Sequence, residues 1–183
     1  MDEQKKIFII TGEVGSGKTL LISNLLAEIS KLGIKAAGIY SPARFENGEK
    51  TGIFVVDISS GLDKLLATHQ PGWDPDNPIR EWKMDPVVLK SGDALLRNSV
   101  PTTVLIIDEL GFLEFEKNTG WVSAFEILEK GAFEIAIIVV RSSLLDQALA
   151  KWENAQVIYI KQPSQVNEYT DYLIDQILQI STK

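Results

Sequence analysis

The chain contains no cysteine, which excludes disulfides, thiolate metal sites and cysteine nucleophiles together. It has one histidine, His69, in a Pro- and Trp-rich stretch where the imidazole is expected to be solvated. Long apolar runs are missing as well. Stretches such as Ile135–Val140 are far shorter than the ~20 residues needed to cross a bilayer. Positive charge is in deficit: the net charge of −7 argues against a general nucleic-acid binder, which needs a surplus of Lys and Arg facing phosphates. Acids in the opening Met1-Asp-Glu-Gln-Lys-Lys predict no secretion signal, and the expected address is the cytoplasm. No Pro/Gly/Ser linker, internal repeat or low-complexity tract interrupts the 183 residues, 45% of them apolar, so a single domain with one substantial core is expected over 1–183.

What the chain does have is an alternation of two periodicities. Lys6–Ile10 is a short, β-branched apolar run of the kind buried on both faces of a sheet. From Lys18 the spacing turns helical through Leu21, Leu25, Ile29 and Leu32, and Gly33 supplies a stop. Strands are predicted at Ile34–Ser41 and Gly52–Ile58. They flank Asn47-Gly48, which predicts a β-hairpin over about 38–58, with Pro42 at a bulge or edge. Residues 68–84 carry Pro-Gly, Asp-Pro and Asn-Pro pairs with Trp73 and Trp82, and are expected to form an irregular cover over a site. Asp85-Pro86 then starts a helix. Further strands are expected at Val104–Asp108, Ile135–Val140 and Gln156–Ile160, with helices near Trp121–Lys130, Leu144–Trp152 and Gln165–Ile180. This order predicts an α/β fold: a mostly parallel sheet with helices on both faces and one antiparallel hairpin.

Between the first strand and first helix lies Gly12-Glu-Val-Gly-Ser-Gly-Lys18-Thr19, a complete G-x-x-x-x-G-K-[ST] in the strand–loop–helix context that the motif requires. Gly12, Gly15 and Gly17 allow the backbone to curl until successive N–H groups converge on a β-phosphate. The helix N-terminus adds unpaired N–H groups and a positive dipole end. Lys18 directs a point charge at the β- and γ-phosphates, and the Thr19 hydroxyl is a hard oxygen ligand for Mg²⁺. The expected nucleotide-binding stretch is therefore Gly12, Glu13, Val14, Gly15, Ser16, Gly17, Lys18, Thr19 and Leu20. The Glu13 side chain, a negative charge beside phosphates, is expected to point outward to solvent or to a loop lysine.

A second apolar strand ends in two acids, Asp108 and Glu109. Ligands of open α/β sheets sit at the carboxyl ends of the strands, so this pair should arrive beside the phosphate loop. There Asp108 would hold Mg²⁺ and Glu109 would orient the attacking water and take its proton. No Asn/Thr-Lys-x-Asp follows the late strand, which exits instead into Lys161-Gln-Pro-Ser, so strict GTP specificity is not expected.

At this point the chain resembles the small THEP-type nucleoside triphosphatases. The resemblance rests on GEVGSGKT; on Arg44 ahead of the Asn-Gly hairpin that re-enters as Gly-Ile-Phe-Val-Val-Asp57; on Gly61 followed by Leu65-Leu-Ala67; and on Ile-Ile-Asp108-Glu-Leu-Gly111-Phe-Leu-Glu114. Val139-Val-Arg141 and the closing strand and helix extend it over nearly the whole chain. It implies a RecA-like P-loop fold and slow hydrolysis of ATP, GTP and other triphosphates.

Several residues keep two readings each. Arg44 acts as an internal arginine finger on the γ-phosphate or lies solvated on the hairpin. Arg141, at the end of a buried strand, contacts phosphate or base or forms a salt bridge. Glu114 positions a substrate group, supports the metal shell, or is a helix-start acid. Trp73 and Trp82 stack on a ligand or fill the cover. Two other functions stay open beside hydrolysis. One is a small-molecule kinase using Arg80, Lys83 or Arg97 on a lid; the other is a non-catalytic nucleotide-binding accessory to an unidentified protein partner.

Overall fold

The computed structural model describes residues 5–71 and 81–181. In chain order the strands are β1 (Lys6–Thr11), β2 (Ala36–Tyr40), β3 (Ala43–Glu46), β4 (Glu49–Asp57), β5 (Asp63–His69), β6 (Trp82–Met84), β7 (Thr102–Leu110), β8 (Phe133–Val140) and β9 (Gln156–Tyr159). The helices are α1 (Lys18–Lys31), α2 (Pro86–Arg97), α3 (Phe112–Phe115), α4 (Ser123–Lys130), α5 (Leu145–Lys151) and α6 (Val166–Ser181). Among the described residues all nine strands join one sheet in the order β6-β5-β4-β2-β7-β8-β1-β9, with β3 paired to β4.

The five strands β2, β7, β8, β1 and β9 run parallel, so their carboxyl ends share one edge of the sheet. Their side chains alternate between two cores. Phe8, Ile10, Ile106, Ile137 and Val139 pack with Leu21, Leu25 and Ile29 of α1 and Leu173 and Ile177 of α6. Ile9, Leu105, Ile107, Ala136 and Ile138 face the other way, onto Leu96 of α2, Ala124 and Leu128 of α4, and Ala148 of α5. Burial on both faces explains why these strands are continuous apolar runs. The predicted α/β fold with helices on both faces is the one observed. No helix among the described residues is long and apolar enough to cross a membrane.

A hairpin around Asn47-Gly48 is present, with both residues at positive φ (53° and 85°), but its first arm is the separate strand β3 rather than the expected Ile34–Ser41. It belongs to a larger antiparallel extension, because β4 also pairs with β2 and β5, and β5 with β6. Residues 68–84 are accordingly not irregular throughout: their ends are strand, in register Ala67↔Met84, Thr68↔Lys83 and His69↔Trp82. A three-residue strand is too short to show a period, and Asp63–His69 is poor in β-branched residues, so neither announced itself in the sequence. His69 is exposed, as expected, and its ring lies beside that of Trp82, centroids 5.4 Å apart. Trp73 and Arg80 lie outside the described residues. At Asp85 the expected helix start is realised: its carboxylate accepts the N–H groups of Val87 and Val88 at 2.8 and 3.1 Å.

Candidate nucleotide site

The carboxyl edge of the parallel strands gathers the expected residues. β1 delivers the glycine loop, β7 delivers Asp108 and Glu109, β8 delivers Arg141, and β2 delivers Ser41. Gly17 caps α1 at φ 105°, with no side-chain cap and no acid in the first turn, so the leading N–H groups of the helix remain available to an anion. Gly12, at φ 144°, has no room for a side chain: a Cβ there would stand 2.2 Å from the backbone oxygen of Ile160. Gly12→Ala should therefore cost about 2 kcal/mol of stability or more, read from denaturant unfolding midpoints, with loss of nucleotide binding.

The Lys18 ammonium donates to the loop carbonyls of Gly12 and Glu13, at 2.7 and 2.9 Å. The Glu13 carboxylate is bound elsewhere. It accepts hydrogen bonds from Ser142 Oγ (3.0 Å) and Tyr159 OH (3.3 Å), which tie the loop to the ends of β8 and β9. Neither solvent alone nor a lysine, as expected, is its partner. Crowding at the Tyr159 phenol and then the nearby Glu13 charge push the Tyr159 pKa upward. Val14 is fully exposed, Thr19 half-buried and Leu20 exposed. Ser16 is buried, and its hydroxyl lacks a hydrogen-bond partner among the described residues.

Strand β7 does not stop at Asp108 as expected; it continues to Leu110 through a bulge. Ile107 pairs with Ile138 but Leu110 with Val140, so the acidic pair carries one residue more than the strand opposite. Bulges of this kind re-aim side chains next to active sites. Asp108 is buried, 2% exposed, and the Ser41 N–H donates to it at 3.4 Å. Burial, reinforced by the Glu109 charge, pushes the Asp108 carboxyl up to about 7, against the pull of the Ser41 N–H, Lys18 and Lys50. Glu109 is more open, and Arg141 Nε donates to it at 2.5 Å. Arg141 is thus brought to the site by a salt bridge to the expected base.

Glu114 is placed by the structure as a helix-start acid. It is buried and accepts the N–H of Gly111 at 2.7 Å and that of Trp121 at 2.9 Å, bracing the turn around α3. Burial pushes its carboxyl up to about 7, against those two N–H donors. The folded value lies above the ordinary one of 4.5. Its stability contribution is therefore complete below about 4.5 and is lost as pH rises through about 7. Glu114→Gln replaces one of two acceptors by an NH₂ group and should cost roughly 1–3 kcal/mol. The gap between the wild-type and variant melting temperatures should narrow from pH 5 to pH 8.

On the hairpin, the Arg44 guanidinium pairs with Glu46 at the exposed edge. Arg97, a lid candidate, is engaged on α2 and α4 by Asp93 (3.3 Å) and Glu126 (4.0 Å). One further cation carried no motif signal. Lys50 of β4 is within electrostatic reach of Glu109, Arg141 and Asp108, and its ammonium lies 4.8 Å from the Trp82 ring centroid.

A family model described as NTPase matches residues 7–177. The chain belongs to the NTPase family. The match takes in both the phosphate loop and the bulged acids. Curated relatives of this NTPase include the nucleoside-triphosphatase THEP1 of Caldivirga maquilingensis, 25% identical over 90% of this chain and 92% of the relative. That of Methanothermobacter thermautotrophicus is 28% identical over 83% and 85%. Two solved structures share the fold. The solution structure of a human cancer-related nucleoside triphosphatase matches with TM-score 0.71 at 20% identity, covering 95% of this chain and 97% of that one. The crystal structure of THEP1 from Aquifex aeolicus matches with TM-score 0.69 at 17% identity, covering 93% and 98%.

Proposed function

We propose that this NTPase binds a magnesium–nucleoside triphosphate on the Gly12–Thr19 loop and hydrolyses it slowly, with broad tolerance of the base. It would act as one cytoplasmic domain without nucleic acid. The observation that carries this reading is the meeting of the glycine loop with a bulged Asp108–Glu109 pair at one sheet edge. Base tolerance draws on the absence of a guanine-reading motif after β9.

The donor chemistry fits magnesium. Asp108 is a buried carboxylate with one long hydrogen bond to Ser41, and a divalent cation would offset the cost of its charge. Among the described residues no three His, Cys, Asp or Glu side chains cluster as a metal site. That suits a cation held by one or two protein oxygens and the substrate's phosphates. Asp108 and the Thr19 hydroxyl would hold it. When bound, Mg²⁺ supplies charge neutralisation at the β- and γ-phosphates.

The chain's own residues do the rest. Lys18 exchanges its loop carbonyls for phosphate oxygens, and the N–H groups of the loop and of α1 receive the β-phosphate. Glu109 takes a proton from a water as the water oxygen bonds to the γ-phosphorus. The bond from that phosphorus to the bridging oxygen breaks, and the diphosphate leaves with the bridging electrons. Arg141 fixes the Glu109 carboxylate through its Nε and leaves the other guanidinium nitrogens free for phosphate. The test is free-phosphate release from ATP, GTP, CTP and UTP, with and without Mg²⁺. Release from all four only with Mg²⁺ is expected; release from one alone overturns base tolerance, and metal-independent release overturns the role of Asp108.

A further inference from the structure

We infer that Lys50, aimed by a β-bulge at Thr51, is the hairpin's cationic catalytic residue and contacts the γ-phosphate of the bound triphosphate. The inference rests on the hydrolase reading above and adds to it a residue that no motif marks.

The register of the hairpin carries the argument. Arg44 pairs with Gly52 and Phe45 with Lys50, so β4 spends one extra residue, Thr51, between those pairs. Residues directly opposite each other in a sheet share a face, and neighbours along a strand point to opposite faces. Arg44 and Phe45 are neighbours, so Gly52 and Lys50 lie on opposite faces although they are two apart. Without the bulge Lys50 would oppose Glu46 and share Arg44's face. With it, Arg44 stays on the face of Glu46, with which it pairs, and Lys50 turns to the other.

The surroundings of the two cations then differ in kind. Arg44 is neutralised by Glu46 within its own strand. Lys50 belongs to neither ion pair of this region, Arg44–Glu46 or Arg141–Glu109. Its ammonium lies over Trp82, which limits its wandering without neutralising it. The charges within its reach are Glu109, Arg141 and Asp108, the carboxyl-edge groups of β7 and β8. Asp108 is reached in turn by both Lys18 and Lys50. Lys18 serves the loop side of a triphosphate, and Lys50 arrives from the hairpin. Charge on the equatorial γ-oxygens changes as the bridging bond breaks, and a fixed cation there lowers the barrier more than it tightens ground-state binding. Lys50 donates no proton in this step; the water's proton goes to Glu109.

The experiment compares Lys50→Met, Lys50→Arg, Arg44→Met and Trp82→Leu by steady-state phosphate release from Mg²⁺–ATP and by calorimetric ATP affinity. Lys50→Met should lower kcat roughly 10–100-fold with affinity within about threefold. Lys50→Arg should recover most of that loss, and Arg44→Met should cost less than Lys50→Met. Trp82→Leu should lower kcat in the wild type and add little to Lys50→Met. Wild-type turnover together with an unchanged kcat in Lys50→Met overturns the inference alone, as does an arginine variant no better than the methionine one. A wild-type protein that releases no phosphate overturns the hydrolase reading and this inference with it.

Discussion

Lys18→Ala is expected to lower Mg²⁺–ATP affinity by about 10²–10⁴-fold without unfolding the glycine loop. The ammonium stands 2.7 and 2.9 Å from the Gly12 and Glu13 carbonyls, at the N-terminus of α1. From there a short movement transfers its hydrogen bonds to phosphate oxygens. Each charge-assisted hydrogen bond is worth about 1.5–3 kcal/mol. Losing two removes about 3–6 kcal/mol, and every 1.4 kcal/mol is tenfold in affinity. The contacts that Lys18 makes within the folded chain are to neutral carbonyls on a surface loop, so the unfolding midpoint should move little. Calorimetry showing unchanged ATP affinity in a folded variant would remove the phosphate-loop assignment and the proposed function with it.

The glycine loop was legible because its chemistry is local: eight consecutive residues hold the turn, the helix start and the charge. The paired acids were legible because an apolar strand must end where ligands bind in such sheets. The bulges at Thr51 and at the acidic pair were not. Register depends on the partner strand, and nothing in Val104–Leu110 says that Ile107 and Leu110 face residues only two apart on β8. The bulge at Thr51 is the same kind of fact, and it puts Lys50 and Arg44 on opposite faces of the hairpin. The family resemblance singled out Arg44, with a finger and a solvated reading both open, whereas Lys50 looks like any solvated lysine. Glu114 shows the reverse case. Its place in the acidic string drew attention to the site, yet two backbone N–H groups, one of them from Trp121, hold its carboxylate in a structural role.

Glu109→Gln should separate binding from chemistry. The amide keeps the shape and can still orient a water, but it takes no proton as an anion does. Positioned general bases contribute typically 10²–10⁴-fold, so phosphate release should fall by about that factor. Affinity should move the other way. The Glu109 charge is the second cause, after burial, that holds the Asp108 carboxyl at about 7. Without it Asp108 ionises at lower pH and is more fully charged near neutrality, so the Mg²⁺ concentration that half-saturates nucleotide binding should drop. Arg141 loses its anionic partner as well, and its whole charge becomes available to phosphate. The variant should therefore trap Mg²⁺–ATP. Asp108→Asn should behave in the opposite sense, weakening the metal dependence itself and leaving no such trap. The two acids are adjacent in sequence, and opposite changes in metal requirement are what distinguish a ligand from a base. Near-normal phosphate release by Glu109→Gln would move water activation elsewhere, and not to Glu114, whose two oxygens are held by the Gly111 and Trp121 N–H groups. Transfer of phosphate to a small acceptor, with none released to water by the wild type, would replace hydrolysis by a kinase reaction on the same loop.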